Sequence, residues 1–316
     1  VPSPATGSPL TPRRPAETFP PASTFKVVSV PAAVNAGAKL TGRYDCSPDV
    51  SIGGRTFNNF ESRGYGLIDL HRALVVSCDT VFYRLAYAAW LAQGGLAAPP
   101  GAVDPFVAMA KDFGFGQRTG IDIPGEATGR IADRQWKLAY WNAMKGYYCK
   151  VDRKNTSGKR DFLHVFAHEF CLEGNQYHIG DAVNFAIGQG DTMVTPLQLA
   201  RAYAALSNGG TLYAPRVAKA IVDPSGHVVR RIDPVVQGRV KSKRSALRYV
   251  DTALQGTPRE GTLAWKFGGF PLDKVKIRGK TGSAEVYGKQ STSWVATYTL
   301  DYGVVMIVSP DGTRSG

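Results

Sequence analysis

"PPASTFK", residues 20–26, sets a pair of prolines ahead of Ser23, with Lys26 three positions on. Residues three apart on a helix share a face, so a helix starting at Ser23 brings hydroxyl and amine within hydrogen-bond reach. A serine alone is a poor nucleophile at neutral pH, but a desolvated lysine beside cationic neighbours can have its pKa lowered enough to take the proton. A helix N-terminus adds free backbone N–H groups and the positive end of the helix dipole, both favourable to developing negative charge. By itself the pair proves little, because this spacing arises often by chance and then marks only a solvated helix face. The run that follows, "STFKVVSVPAAVNAGA" (23–38), keeps apolar residues at helical spacing, and Pro31 predicts a kink or interruption after the second turn.

Upstream, residues 1–22 are rich in proline and lack apolar periodicity, which predicts an extended lead-in. Downstream, residues 44–66 are rich in Gly, Asn and Ser and predict a loop or small hairpin around Gly53 and Gly54. "IDLHRALVV" (68–76) and "DTVFYRLAYAAWLAQ" (79–93) are amphipathic helices, and Ser77 and Cys78 form the corner between them. "DPFVAMAKDFGFG" (104–116) and "TPLQLARAYAALSNGG" (195–210) are further helices ended by glycine, giving a helical subdomain mainly over 27–210. Past residue 210 the period changes to two in "PRVAKAIVD", "HVVRRID", "VKIRGKTGSAEV", "SWVATYTL" and "VVMIVS", with "PSG" (224–226) turning between the first two. The sheet lies mainly over 211–310, and the whole predicts an α+β fold, an antiparallel sheet flanked by helices.

With 316 residues and 43% hydrophobic content the chain can bury a real core, so intrinsic disorder is not the default reading. Its net charge of +13 favours anionic partners such as nucleic acid, acidic lipid headgroups or a cell-wall polymer. The densest basic run, "KSKRSALR" (241–248), has no aromatic-rich RNA-binding signature beside it, so it reads as a solvated face and nucleic acid is discounted. No apolar run approaches the ~18 residues of a membrane span, and the N-terminal residues lack the apolar centre of a signal peptide. The absence of an initiating methionine and the abrupt end suggest a piece of a longer protein.

Four cysteines, Cys46, Cys78, Cys149 and Cys171, allow three pairings, and sequence alone does not choose among them. Cys149, His164, His168 and Cys171 also form a candidate zinc set, since "HVFAH" (164–168) spaces two histidines one helical turn apart. Against a metal, neither cysteine belongs to a CxxC pair, and "VDRKNTSGKRD" (151–161) reads as an exposed excursion better closed by a disulfide. "GQG" (188–190) lacks the glycine spacing and lysine of a phosphate loop and reads as a turn.

Three short motifs then occur in one order: "STFK" (23–26), "SCD" (77–79) and "KTGS" (280–283). Each is weak alone; together, on a helix start, a helix-connecting corner and a strand, they are hard to obtain by accident. With "YGLIDLHRALVVSCDTVFY" (65–83), "FGFGQRTGIDIPGE" (113–126), "AIGQGDTMVTPLQLARAYAALSNGG" (186–210) and "GKTGSAEV" (279–286), the chain resembles the transpeptidase domain of class B penicillin-binding proteins. The likeness is to the elongation type, penicillin-binding protein 2, and covers most of residues 19–310.

The resemblance implies a helical subdomain against a five-stranded sheet, residues 23–316 as the transpeptidase domain, and the site between the two halves. It implies a peptidoglycan D,D-transpeptidase inhibited by β-lactams and using no cofactor; elongation-type relatives can have a metal site in the region of residues 45–78, but Asn58 or Asn59 and Tyr65 stand where two of its ligands would be, so no metal is expected. Ser23 would attack the penultimate D-Ala carbonyl of a stem peptide, Lys26 would accept its proton, Ser77 would relay a proton to the leaving amine, and Asp79 would orient Lys26. Lys280 would add positive potential, the hydroxyls of Thr281 and Ser283 would meet the substrate carboxylate, and Gly282 would allow close backbone approach. The backbone N–H groups of Ser23 and Ser283 would form the oxyanion hole. Glu126 could activate water as in class A β-lactamases, but "GIDIPGE" matches the penicillin-binding pattern instead.

An extracytoplasmic setting makes disulfides plausible, and neighbours then pair: Cys46 with Cys78 and Cys149 with Cys171. The implied partners are peptidoglycan stem peptides, β-lactams and a membrane glycan polymerase of the elongation machinery, at the outer face of the cytoplasmic membrane behind an N-terminal anchor outside this chain. The rival readings are a D,D-carboxypeptidase and a β-lactam sensor domain that acylates without turnover. Three departures stand out: Ala22 where the family usually has Gly, Asp79 where many members have Asn, and a chain too short at both ends for the family's first two strands and last helix.

Overall fold

The computed structural model describes residues 17–99, 101–156, 158, 160–285 and 291–308, so most of the expected lead-in lies outside the described residues. Ala22–Phe25 forms one 3₁₀ turn that runs into α1, Lys26–Asn35. The interruption expected at Pro31 does not occur, since α1 continues through it. A proline in this place lacks an N–H and crowds the carbonyl four residues back, at a cost of roughly 3 kcal/mol. Tertiary burial outweighs that cost: Val27, Val28, Val30 and Ala32 are fully buried, and each large apolar side chain so buried contributes about 1.5–3 kcal/mol. The Phe25 ring, at the head of α1, lies 5.3 Å from Phe185 and 5.6 Å from Phe115.

β1, Tyr44–Cys46, pairs antiparallel with β4, Gly66–Ile68, and between them β2, Asp49–Ile52, and β3, Arg55–Asn58, make the expected hairpin. Its two-residue turn needs positive φ at both positions, and Gly53 (58°) and Gly54 (77°) supply it. α2, Leu70–Val75, begins at an Asp69 cap and ends in a Schellman arrangement: Ser77 N–H donates to Leu74 and Cys78 N–H to Ala73. The residue forced left-handed by this ending is Ser77, at φ 62°. α3, Asp79–Ala92, follows at once.

The helical middle continues with α4, Pro105–Asp112, α5, Arg134–Lys154, α6, Phe162–Glu173, α7, Ile179–Ala186, and α8, Pro196–Ser207. The first four residues of the excursion read at 151–161 are instead the last turn of α5, because Val151–Lys154 extend its hydrogen-bonded run. Rings of α5 and α6 pack together, Tyr148 against Phe166 and Phe170, and the Cys149–Cys171 disulfide links the two helices.

The strand-rich end is less uniform than its period suggests. β5, Thr211–Tyr213, pairs with β8, Val236–Arg239, and β6, Ala220–Val222, with β7, Val228–Arg231, as separate two-stranded ribbons. A helix, α9, Arg244–Glu260, then interrupts the strands. The basic run at 241–248 leads into its first turn, and Ala246, Leu247, Val250, Ala253 and Leu254 are its buried stripe at helical spacing. β9, Arg278–Ala284, β10, Thr292–Tyr298, and β11, Gly303–Val308, form an antiparallel sheet in the order β11-β10-β9. Three strands of the expected five-stranded sheet therefore lie among the described residues.

Candidate active site

The turn carrying Ser23 is clamped from three directions. Tyr203 on α8 donates to the Thr24 carbonyl (3.0 Å), Trp294 on β10 to the Pro20 carbonyl (2.8 Å), and Ala22 N–H to the Gly188 carbonyl (2.8 Å). Ala22 itself is left-handed at φ 50°, a conformation that costs a residue with a Cβ roughly 1–2 kcal/mol. Two glycines make the clamp close. A Cβ on Gly188 would lie 2.4 Å from the Ala22 carbonyl oxygen, and one on Gly282 would lie 3.0 Å from the Thr24 nitrogen. The strand bearing "KTGS" thus packs directly on the turn bearing "STFK".

Four acceptors surround the Lys26 amine: Ser23 Oγ at 2.9 Å, Ser77 O at 2.7 Å, Ser77 Oγ at 3.1 Å and Asp79 Oδ1 at 2.7 Å. A lysine nitrogen makes at most three directed bonds, three donated when charged or two donated and one accepted when neutral, so at least two of these four contacts share one position. Lys280 Nζ meets Ser77 Oγ from the other side at 2.7 Å and also donates to the Thr281 carbonyl. Ser77 therefore bridges two buried amines. Both lysines are fully buried, and among the described residues Asp79 is the one carboxylate acting on them.

That imbalance moves both amines downward. Burial lowers the Lys26 pKa from its ordinary value, against the pull of Asp79, which favours the charged form. Lys280 is pushed well below its ordinary value, first by burial and then by the neighbouring Lys26, with Asp79 opposing. The set Ser23, Lys26, Ser77 and Lys280 can pass a proton from the Ser23 hydroxyl through an amine and a second hydroxyl.

Asn59, not singled out for this role in sequence, sets the place of Asp79. Its Oδ1 accepts from the N–H groups of Asp79 (2.8 Å) and Thr80 (2.9 Å), capping α3 from a distant loop, while its Nδ2 donates to the carbonyls of Ser47 and Arg63. The local signal for a cap is an Asn just before a helix, and here it is twenty residues away. The Cys46–Cys78 disulfide pins the same corner between Ser77 and Asp79. The other disulfide, with His164 held by Asp161 and His168 by Asp152, leaves no metal-holding group among the described residues.

The other wall is β9. Thr281 Oγ1 shares a 2.7 Å hydrogen bond with Thr262, and Gln189 Nε2 donates to the Ser283 carbonyl across the cleft. Glu126 is spoken for by its own loop, accepting from the N–H groups of Thr119 and Gly120. A cavity of about 680 Å³ opens between α4 and α5, lined by Lys111, Arg130 and Trp136 among others, and none of the three motifs lines it.

The family model described as penicillin binding protein transpeptidase domain matches residues 4–313. Among known proteins, the peptidoglycan D,D-transpeptidase MrdA of Acinetobacter baumannii is 27% identical over 266 residues, 80% of this chain and 31% of the relative. The MrdA of Haemophilus influenzae is 28% identical over 279 residues, 85% of this chain and 35% of the relative. The chain thus spans about a third of the length of these relatives. Among solved structures, a chain of a peptidoglycan synthase complex that coordinates polymerization and crosslinking superposes with a TM-score of 0.68 at 27% identity, covering 95% of this chain and 44% of that one. Pseudomonas aeruginosa PBP2 in complex with WCK 5153 gives a TM-score of 0.68 at 24% identity, covering 94% and 57%. From its three converging motifs to its nearly end-to-end match, the chain belongs to the penicillin-binding protein transpeptidase family, on the elongation-type side represented by MrdA.

Proposed function

We propose that this chain is the catalytic part of a peptidoglycan D,D-transpeptidase. The observation that carries the reading is the Ser23 hydroxyl held 2.9 Å from a buried Lys26 amine, with the "KTGS" strand packed on the same turn. Ser23 Oγ attacks the carbonyl of the penultimate D-Ala as Lys26 takes its proton; the C–N bond to the terminal D-Ala breaks, and Ser77 hands the leaving amine its proton. The amine of a second stem peptide then displaces Ser23 and forms the cross-link. The N–H groups of Ser23 and Ser283 hold the oxyanion, each worth roughly 3 kcal/mol in comparable acyl transfers. Asp79 orients Lys26, the hydroxyls of Thr281 and Ser283 hold the substrate carboxylate, and Gly282 lets the substrate backbone approach.

The same reading makes residues 23–316 the transpeptidase domain of a membrane-anchored protein working at the outer face of the cytoplasmic membrane. No helix among the described residues is itself long and apolar enough to cross a membrane. A glycan polymerase is the partner that fits, supported by the neighbour from a complex coordinating polymerization with crosslinking.

Fluorescent penicillin should label the protein, mass mapping should find the adduct on Ser23, and Ser23→Ala should abolish it. With a stem-peptide thioester and a D-amino acid, exchange product marks a transferase. Free acid alone would make it a carboxypeptidase, acylation without turnover a sensor, and an adduct elsewhere than Ser23 would overturn the assignment.

A further inference from the structure

α5 and α6 make an antiparallel hairpin that leans mostly on itself. The side-chain hydrogen bonds from α5 to the body of the chain come from its first turn, Arg134 to the Gly95 carbonyl at 3.1 Å and Lys137 to Asp181 at 2.6 Å. Beyond that turn, Trp141 donates to the Phe170 carbonyl, and Tyr140 and Tyr148 pack on the Phe170 ring, so the partner is α6. No residue of α5 is more than partly buried. Helices with so little core beneath them are marginal in water, and the Cys149–Cys171 disulfide holds this pair in one shape.

Two kinds of group gather at the free end, where the last two turns of α5 run beside the first turn of α6. Tyr147, Phe162, Leu163 and Val165 are between 41% and 54% exposed. Lys150, Arg153, Lys154 and Arg160 are exposed and make no ion pair among the described residues. The acids at this end are already engaged, Asp152 with His168 at 3.0 Å and Asp161 with His164 at 2.8 Å. One exposed apolar side chain is ordinary on a protein surface. Four of them, set among four cations without counter-charges, are not accounted for by the packing of the hairpin.

We propose that the free end of this hairpin docks on a lipid surface rich in anionic phospholipid. Tyr147, Phe162, Leu163 and Val165 enter the boundary between headgroups and acyl chains, and the four cations pair with headgroup phosphates. Charge complementarity selects this occupant. A soluble polyanion would neutralise the cations and leave the apolar side chains in water, whereas an anionic bilayer meets both and demands no matching shape. The contact is peripheral and reversible, since a few side chains bury far less apolar surface than a membrane-spanning helix. It is independent of the chemistry at Ser23.

The test is cosedimentation of the disulfide-bonded protein with vesicles of phosphatidylglycerol and phosphatidylcholine in equal parts, against vesicles of phosphatidylcholine alone. Binding should be about tenfold or more tighter to the mixed vesicles and should weaken as salt is raised. Lys150→Glu with Lys154→Glu, and separately Leu163→Gln with Val165→Gln, should each weaken it about tenfold, with circular dichroism showing that both variants keep the fold. Because the whole chain carries a net charge of +13, Arg230→Glu with Arg231→Glu on the exposed strand β7 serves as the control and should change binding less than about twofold. An equal loss in that control would mean diffuse adsorption and would overturn the site. Loss on charge reversal but not in the glutamine pair would mark a polyanion contact, and equal binding to both vesicles a different partner; either overturns the lipid assignment.

Discussion

At the scale of single residues, the Lys26 amine is held between two opposing influences. Burial favours the neutral form, and Asp79 at 2.7 Å favours the charged one. Removing the negative charge leaves burial unopposed, so Asp79→Asn should shift the pH–acylation inflection of Lys26 further down. The same change loosens the amine and should slow acylation at neutral pH by on the order of tenfold or more. Stopped-flow acylation with a reporter cephalosporin across pH 5–10 reads both; an inflection that stays in place or moves upward would count against this role. The juxtaposition of Ser23, Lys26 and the "KTGS" strand was legible because each motif is contiguous and the chemistry proposed for it needs those residue types. Asn59 was not, since its partners are backbone N–H groups twenty positions away, and no periodicity links a loop amide to the helix it caps.

At the scale of elements, the N-terminus of α3 depends on that remote amide. Asn59→Ala removes two accepted and two donated hydrogen bonds from a buried site, and should destabilise the protein by about 2 kcal/mol or more. Because the freed turn carries Asp79, acylation should slow together with the loss in stability, whereas a cap serving the helix alone would leave the rate of the folded fraction unchanged. Urea unfolding and active-site titration on one sample separate these outcomes. The helices flanking Ser77 were readable from amphipathic spacing. α9 escaped notice because charged residues crowd its first turns, hiding a buried stripe that begins only at Ala246. The continuity of α1 through Pro31 was unreadable for another reason: local propensity opposes it, and only contacts with distant segments such as Phe115 and Phe185 outweigh that propensity.

At the scale of the whole molecule, two buried amines couple folding to pH. The folded Lys280 pKa lies well below the 10.5 of an unperturbed lysine, so between those values the unfolded chain binds more protons than the folded one. Stability from this group therefore rises with pH through that window, and the full penalty applies below the folded value. Lys280→Met should flatten the rise, measured as the difference in unfolding free energy between pH 7 and pH 9.5; an equal or steeper rise in the variant would show that Lys280 is not its source. The α+β class was legible in the change of period along the chain, and the meeting of helical and strand-borne motifs was an expectation that rested on the family resemblance. The division of the terminal strands into one sheet and two ribbons was not, because a period of two does not say which strands pair.

The bare α-carbons of Gly188 and Gly282 deserve a last consequence. They sit on opposite sides of the serine's turn, each near enough that a single methyl would act as a wedge. Where three segments are spaced by the absence of one carbon, drift among them reaches the reacting oxygen almost undiminished. Enlargement is thereby tolerated only at the rim of the groove, because at its throat even a methyl group would prise these segments apart.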